Sequence, residues 1–515
     1  MARAAQSGRG RSGQGRGFRL EAGALEAPRG GSADTSPGPG CNRRVLPRRP
    51  LLTRRGSRRP QGRPQGDGGD QVISFEIGSG IRYLTICDGL GSVHLAWQRL
   101  GWSCVGVSEI APFPKAVVKH HWALRELGDL KRFLEWPERL LADVDLLVGG
   151  TPCQAFSVAG NRLGLADERG GLTLAFVALY DHINRIRRKY GRPPAILLWE
   201  NVDGALTMDD NAFGCLLGGL LGCDEAPRTK SGKWNKAGFI SSESARVCWR
   251  VLNAEKFAVA QRRKRVFCLC VPSELIERFG DRACPSRILS LRSSGELKPL
   301  TLDAASGIME ASSVANASES VYGSSDLPWL KGVPSCFSLP RSVSLSDVLE
   351  TGPVDDKYYI TAEKAVKSLQ FAKAKGKQLP PLYEAVLMKV ASGSRGIAGD
   401  VGRDSGDPVV VPVATSEVAN TLTVCRWEGF RSNGMPKHGL VIEGDRLRIL
   451  TPCEWEWLMG FPAGFTLVPN HKNELAKDSS RFAGLGNSIV VPILSWIGQR
   501  IAQGFTVDPL PGPAS

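Results

Sequence analysis

This sequence is poor in the features that would tie a chain to a metal, a disulfide framework or a bilayer. Its six histidines are scattered, and its thirteen cysteines are odd in number and never paired in C-x-x-C spacing. That argues against structural zinc and against a disulfide scaffold, and thiols that stay reduced suit the cytoplasm. No apolar run is long enough to cross a bilayer, and the basic N-terminus lacks the uninterrupted apolar segment of a secretory signal. The expectation is a soluble, cytoplasmic protein with no metal and no membrane partner.

Acidic residues are scarce at the start. Residues 1–70 hold fifteen arginines against five acidic side chains, so about +10 of the net charge of +15 lies there. The rest of the chain is only mildly basic, which makes global charge weak ground for nucleic-acid binding by the folded part. Residues 1–79, rich in Arg, Gly, Pro and Ser without hydrophobic periodicity, read as a disordered basic extension. Such an arm could add nonspecific affinity for DNA, but a dispensable extension is the plainer reading and is preferred. The length allows at least one large core and predicts two domains.

From residue 81 strand-like and helix-like stretches alternate over residues 81–87, 91–100, 103–108 and 114–122. That succession predicts a parallel sheet with helices on both faces. The first turn is Asp88-Gly89-Leu90-Gly91-Ser92, and Glu109 follows about twenty residues on, where a carboxylate can accept hydrogen bonds from ribose hydroxyls. A lone Gly-x-Gly is a weak signal; the spaced acid strengthens it.

Residues 144–148 form an apolar, branched run suited to a strand buried on both faces. Gly149 and Gly150 then permit a sharp turn, and Pro152 restrains Thr151 just before Cys153. A thiol held at the carboxyl edge of such a sheet is a candidate nucleophile, although a lone cysteine is more often a small buried hydrophobe. Residues 172–190 read as an amphipathic helix whose end, Arg185, Arg187, Arg188 and Lys189, is a solvated cluster complementing the helix dipole. Residues 195–199 are a second buried strand that delivers Glu200-Asn201-Val202 to the same edge. Alternate residues of a strand share a face, so Gln261, Arg263 and Arg265 point one way ahead of the strand at 266–271.

Between residues 272 and 445 the composition shifts to Ser, Gly, Ala and Pro, with short regular pieces at 344–349, 361–375 and 409–413. Residues 420–433 mix aromatics with arginines, as a DNA contact or a plain strand and turn would. Thr451 and Glu454 have capping-box spacing, which accounts for a helix start there.

The string Gly-Gly-Thr-Pro-Cys-Gln-Ala-Phe-Ser-Val-Ala-Gly at 149–160 closely resembles the catalytic motif of the cytosine-C5 DNA methyltransferases. Glu-Asn-Val at 200–202, Gln-x-Arg-x-Arg at 261–265, and residues 446–465 and 482–493 resemble further motifs of that family, in the family's order. The resemblance covers residues 81–271 and 446–501. It implies a doubly wound α/β, Rossmann-like S-adenosylmethionine-dependent methyltransferase domain with a smaller, irregular target-recognition domain. The implied division is 1–79 extension, 80–271 first part of the catalytic domain, 272–445 target recognition, 446–505 return to the catalytic domain, and 506–515 tail.

The resemblance also implies roles. Cys153 is the nucleophile, Glu200 the acid, and Arg263 and Arg265 hold the catalytic loop, the base or its phosphate. S-adenosyl-L-methionine is the cofactor, carried by Gly89, Leu90, Gly91, Glu109, Ile110, Asp129, Leu130, Pro152, Asn487 and Ser488. The implied partner is double-stranded DNA, bound by a monomer without metal; a cognate restriction endonuclease would belong to the same system without being a bound subunit. The pattern at 82–102 is most similar to phage and prophage members acting in a bacterial cell. Two alternatives stay open, a tRNA cytosine-C5 methyltransferase and a catalytically silent DNA-binding homologue; the long recognition region argues for DNA. The glycine turn departs from the family form, carrying Thr85, Cys87 and Ser92 where the family shows Asp, Phe and Gly. Trp97 and Trp122 read as ordinary core residues.

Overall fold

The computed structural model describes residues 80–152, 171–290, 301–302, 308–310, 343–376, 378–379, 381–393, 419–420, 440–443, 446–469 and 474–505. The expected extension at 1–79, the regular piece at 409–413, most of the aromatic and arginine stretch at 420–433, the tail at 506–515 and Cys153 itself lie outside the described residues.

A seven-stranded mixed sheet organises the chain. Its strands are β1 (Arg82–Ile86), β2 (Ser103–Ser108), β3 (Leu146–Gly149), β4 (Ile196–Val202), β5 (Ala237–Ser241), β6 (Ala245–Asn253) and β7 (Lys264–Pro272). The order is β2-β1-β3-β4-β7-β6-β5. The first four strands are parallel, as the alternation with helices predicts. The other three are antiparallel, with β7 lying along β4 and β6 along β7. The parallel half runs through α1 (Ser92–Trp97), α2 (Pro112–His121), α3 (Glu138–Ala142) and α4 (Gly171–Lys189). The antiparallel half needs no crossover helix between β5 and β6, because a three-residue turn suffices to reverse the chain. α5 (Ala212–Leu221) precedes it.

Both faces of the sheet are covered, so the central strands β3 and β4 carry consecutive apolar residues rather than alternating ones, up to Gly149 in β3 and the polar Glu200 and Asn201 in β4 at their carboxyl ends. Tyr83, Leu146, Val148, Ile196, Leu198, Phe267 and Leu269 face one core; Leu84, Ile86, Leu147, Leu197, Trp199, Cys268 and Cys270 face the other. The period of two places Cys268 and Cys270 on one face as small hydrophobes. The first core is completed by α10 (Pro452–Met459) and α12 (Val491–Gly504), and α11 (Asp478–Asn487) precedes α12. Gly498 admits the indole of Trp97, whose ring sits 2.4 Å from where a Cβ would stand, and Trp97 Nε1 donates to the Leu494 carbonyl at 2.9 Å. Residues 478–504 are long and apolar enough for a membrane span by composition, yet the stretch is broken at Ser488–Val490 and buries Leu494, Ile497 and Ile501 in the core. α6 (Ser273–Phe279), α7 (Pro285–Ile288) and residues 343–349 add Leu275, Ile288, Val343 and Leu345 to the same core.

Arg187 departs from the solvated helix end expected of it. It is 1% exposed, donates to the carbonyls of Ala142, Val144 and Pro193, and pairs with Asp145 at 3.0 Å. Its position, two residues short of the end of α4, turns it inward against the α3–β3 connection and the α4–β4 turn, whose buried carbonyls it satisfies.

A third, smaller core joins α8 (Ala362–Ala374) and α9 (Pro381–Ala391) to the hairpin of β8 (Leu440–Glu443) and β9 (Arg446–Ile449). Arg448, with no exposed side-chain surface, holds both oxygens of buried Glu454 at 2.8 Å and Glu443 at 2.5 Å. Glu454 also closes the capping box with Thr451 that the spacing predicts. Removing one member of such a pair strands the other charge away from water, at a cost of about 3–5 kcal/mol. Arg448→Ala is therefore expected to lower unfolding stability by about that amount in urea titration, whereas a drop within error would show the network to be energetically idle.

Candidate active site

The carboxyl ends of β3 and β4 lie side by side, and their sequences bring a small-residue loop against an acid. Gly149 and Gly150 close β3, and a Cβ at Gly150 would stand 3.0 Å from Glu200 Oε2. Only a residue without a side chain lets the backbone approach the carboxylate this closely. Thr151 is then clamped by β4 and α4. Its carbonyl accepts from Asn201 Nδ2 at 2.9 Å, and its hydroxyl meets Trp199 Nε1 at 2.9 Å and Thr173 Oγ1 at 2.7 Å. Pro152 follows, exposed. The clamp fixes the chain two residues before Cys153.

Glu200 is 8% exposed and lies on one strand face with Arg265. β4 and β7 pair antiparallel with Val202 opposite Arg265, so Glu200 and Arg265 are diagonal neighbours on one face. Arg265 Nε stands 3.3 Å from Glu200 Oε1. Burial raises the Glu200 pKa above the ordinary 4.5, and the positive charges of Arg265 and Arg263 oppose the rise without cancelling it. A carboxyl held up in this way is a better proton donor near neutral pH.

Arg263, on the same face by the alternation, is 1% exposed and reaches the opposite way. Its Nη2 donates to the carbonyls of Gly486 at 2.9 Å and Ser488 at 2.7 Å. Burial lowers its pKa to about 9, with Arg265 adding to the fall and Glu200 resisting it, and it remains cationic at pH 7. Arg263 thus braces the end of α11, while Arg265 is the partner of Glu200. Lys264 between them is half-buried, Arg262 ahead of them is exposed, and Gln261 is fully buried.

Ser488 connects this edge to the glycine turn. A Cβ at Gly89 would lie 3.6 Å from Ser488 Oγ, which donates to the Gly484 carbonyl at 2.9 Å. Gly89 (φ 66°) and Gly91 (φ 84°) occupy the left-handed region, as does Cys87 (φ 52°). Leu90 and Leu130 are core side chains, offering a ligand only their backbone. Glu109 accepts from the N–H groups of Gly89 at 3.1 Å, Ile110 at 2.9 Å and Ala111 at 2.8 Å, which aims its carboxylate at the turn. Ile110 beside it is 66% exposed, an apolar side chain left open at the rim. Asp129 accepts from Lys131 N at 3.0 Å, and Asn487 is exposed.

This pocket suits a cationic, nucleoside-bearing ligand. The positive φ at 89 and 91 selects glycine, and Trp122 leaves no room for a Cβ at 91; the buried hydroxyls of Thr85 and Ser92 are without a hydrogen-bond partner, and the carboxylates of Glu109, Asp129 and Asp88 act on Cys87. Burial and then those three carboxylates push the Cys87 thiol up to about 12, leaving it neutral. Among the described residues no three His, Cys, Asp or Glu side chains gather to hold a metal ion.

Sequence reading missed Thr151, Trp199 and Asn201 as the clamp, although each lies in or beside a family motif. Trp122, read from the sequence as an ordinary core residue, does pack against the first core, half-buried, and also sets its ring in the space above Gly91, 2.4 Å from where a Cβ would stand. No local pattern marks a tryptophan thirty residues from the turn it covers.

A raised carboxyl pKa favours the protonated form in the folded state, so the stability linked to Glu200 is present below about 4.5 and is lost as pH rises through its folded value. Glu200→Gln is accordingly expected to melt higher than the wild type at pH 8, the difference closing as pH falls toward 4.5. Melting curves across that range check it, and a variant less stable at pH 8 would contradict the uncompensated burial.

Comparison with known proteins agrees with this geometry. The chain matches the model of the family described as C-5 cytosine-specific DNA methylase over residues 81–503. It is 30% identical over 486 residues to a protein of Escherichia phage P1 named DNA N-6-adenine-methyltransferase, covering 82% of this chain and 61% of that one. It is 29% identical over 208 residues to the orphan methyltransferase M.Rho11sI of Bacillus phage rho11s, covering 39% and 34%. It is 22% identical over 476 residues to the type II methyltransferase M.NlaIV of Neisseria lactamica, covering 82% and 98%. The chain thus spans less than two thirds of the length of the two phage relatives. With its family match running almost from the first described strand to the end of α12, the chain belongs to the C-5 cytosine-specific DNA methylase family, and its Rossmann-like sheet is the fold of a methyltransferase.

Proposed function

We propose that this protein is a DNA (cytosine-5-)-methyltransferase that acts on a cytosine turned out of the duplex, through a covalent bond between Cys153 and C6 of the base. The observation that carries the reading is the raised, buried Glu200 carboxyl packed against Gly150, with Thr151 clamped just ahead of Cys153.

C5 of cytosine is too weak a nucleophile to take a methyl group unaided. Addition of the Cys153 thiolate to C6 opens the C5–C6 double bond and moves its electron pair toward N3. Glu200, protonated, delivers a hydrogen bond or its proton to N3 and so stabilises the enamine. S-adenosyl-L-methionine, when bound, supplies an electrophilic methyl group. Once C5 carries the methyl, loss of the C5 proton returns an electron pair to the ring, and the C6–S bond breaks to release Cys153. Arg265 keeps Glu200 oriented, and Arg263 keeps the Gly486–Ser488 backbone against the glycine turn.

The cofactor would be held by the turn at Gly89–Gly91, with Glu109 toward the ribose, Ile110 and Asp129 toward the base, and Pro152, Asn487 and Ser488 closing the pocket. The chemistry requires the target base outside the stack, at a cost of a few kcal/mol. Contacts from a recognition region within residues 272–445 offset that cost in this reading. The names of the phage and type II relatives support a modification enzyme, solitary or beside a restriction endonuclease; the proposal takes it to work as a monomer in the bacterial cytoplasm.

The name of the phage P1 relative raises N6 of adenine as a second target. An exocyclic amine can attack the methyl carbon directly, with the donor's thioether sulfur as leaving group, which gives neither Cys153 nor the acid at Glu200 a task. Nucleoside mass spectrometry with bisulfite sequencing separates the two, using DNA from cells expressing the wild type or Cys153→Ser. The expected result is 5-methylcytosine at one sequence with the wild type and none above background with the variant. N6-methyladenine that survives the substitution, or cytosine methylation confined to RNA, would overturn the proposal.

A further inference from the structure

The glycine turn contains a buried charge that the proposed reaction does not use. Asp88, 2% exposed, precedes Gly89 and points into the fold. One of its oxygens receives Val93 N–H at 3.4 Å, and the other lies 2.8 Å from Nε2 of His94, which is equally buried. Nδ1 of His94 meets the Tyr83 hydroxyl at 3.0 Å. Strand β1, the turn and helix α1 are therefore joined by one chain of polar contacts, Tyr83 to His94 to Asp88.

The same imidazole touches the turn by a second route. Its ring packs against Trp122, with centroids 5.3 Å apart, and Trp122 occupies the space above Gly91. Three of the five residues from Cys87 to Gly91 have positive φ, a backbone that L residues adopt reluctantly and that neighbouring structure must hold in place. A buried carboxylate with a fixed counter-ion is such a restraint, and leaving it unpaired is expensive. The usual family form has its acid three residues earlier, where this chain has Thr85; here the carboxylate stands inside the turn.

We infer that His94 is a positioning residue for the methyl donor: its ion pair with Asp88 and its contact with Trp122 hold the Gly89–Gly91 turn in the shape that binds S-adenosylmethionine and its demethylated product. The inference rests on the proposed assignment of that turn to the cofactor. Burial, the largest single influence, lowers the pKa of His94, but the charge and hydrogen bonding of Asp88, with Cys104 adding to them, together outweigh it for a net rise to about 10, so the pair is ionic at neutral pH. Among the described residues the polar and ring contacts of His94 run to Asp88, Tyr83 and Trp122 and not to Glu200, so its effect is expected on the donor side.

Titration calorimetry with S-adenosylhomocysteine, alongside a duplex-binding assay on the same preparations, tests this in the full-length protein. His94→Gln, which keeps a donor toward Asp88 but removes the charge, is expected to bind S-adenosylhomocysteine at least tenfold more weakly, with duplex affinity within twofold of wild type. Tyr83→Phe preserves the ion pair and frees the far side of the ring; it is expected to lose about threefold and serves as the test where His94→Gln does not fold. A folded His94→Gln with wild-type affinity, an unchanged Tyr83→Phe in its place, or a parallel loss of duplex and S-adenosylhomocysteine binding would overturn the inference. A wild type that binds duplex but no S-adenosylhomocysteine overturns the cofactor assignment itself.

Discussion

Keeping the Glu200 carboxyl out of water beside two arginines is the constraint on which the proposed catalytic edge depends. An unpaired buried carboxylate is costly, and an ideally paired one would ionise and lose its value as a proton donor. The β4–β7 pairing resolves this by placing Arg265 diagonally opposite at 3.3 Å while Arg263 turns away to the Gly486 and Ser488 carbonyls. One cation is near enough to orient the acid. The other is spent on the backbone, and the carboxyl stays above its ordinary range.

That division of labour ties the two halves of the site together. Arg263 reaches across 225 positions of sequence to fix Ser488, and Ser488 stands beside Gly89. Thr151 is fixed in the same way by Trp199 and Asn201, the flanking neighbours of Glu200. On the proposed assignment, the base side and the donor side are two ends of one hydrogen-bonded frame built on β4 and the start of β7.

Much of this frame is legible in the amino-acid sequence. Alternating strands and helices announce the parallel half, because each unit carries its own apolar period and turn residues. The capping box at Thr451 and the acid at Glu109 are set by local spacing, and both appear where the spacing puts them. The antiparallel β5–β6 hairpin and the α8–α9 unit carry no chemistry-bearing motif, so their place beside the sheet and the β8–β9 hairpin follows only from three-dimensional packing. The same holds for side chains whose partners are distant in sequence. Arg187 reads as a solvated helix end until the α3–β3 carbonyls are seen, and Arg263 and Arg265 look equivalent until one is found facing Glu200 and the other facing α11. The Asp88–His94 pair is hidden differently: its members are six residues apart, but only the fold of the turn brings them to 2.8 Å.

The central claim is that Cys153 forms a covalent bond with the target base while Glu200 supports it. Duplex DNA carrying 5-fluorocytosine at the recognised position tests this most directly, because the last step needs a proton to leave C5 and fluorine cannot leave as a cation. With S-adenosylmethionine present, the protein should become irreversibly linked to that DNA, and peptide mass spectrometry should map the link to Cys153; Cys153→Ser should form none. Methylation of ordinary DNA by a protein that never forms this adduct, or a link at another residue, would contradict the account.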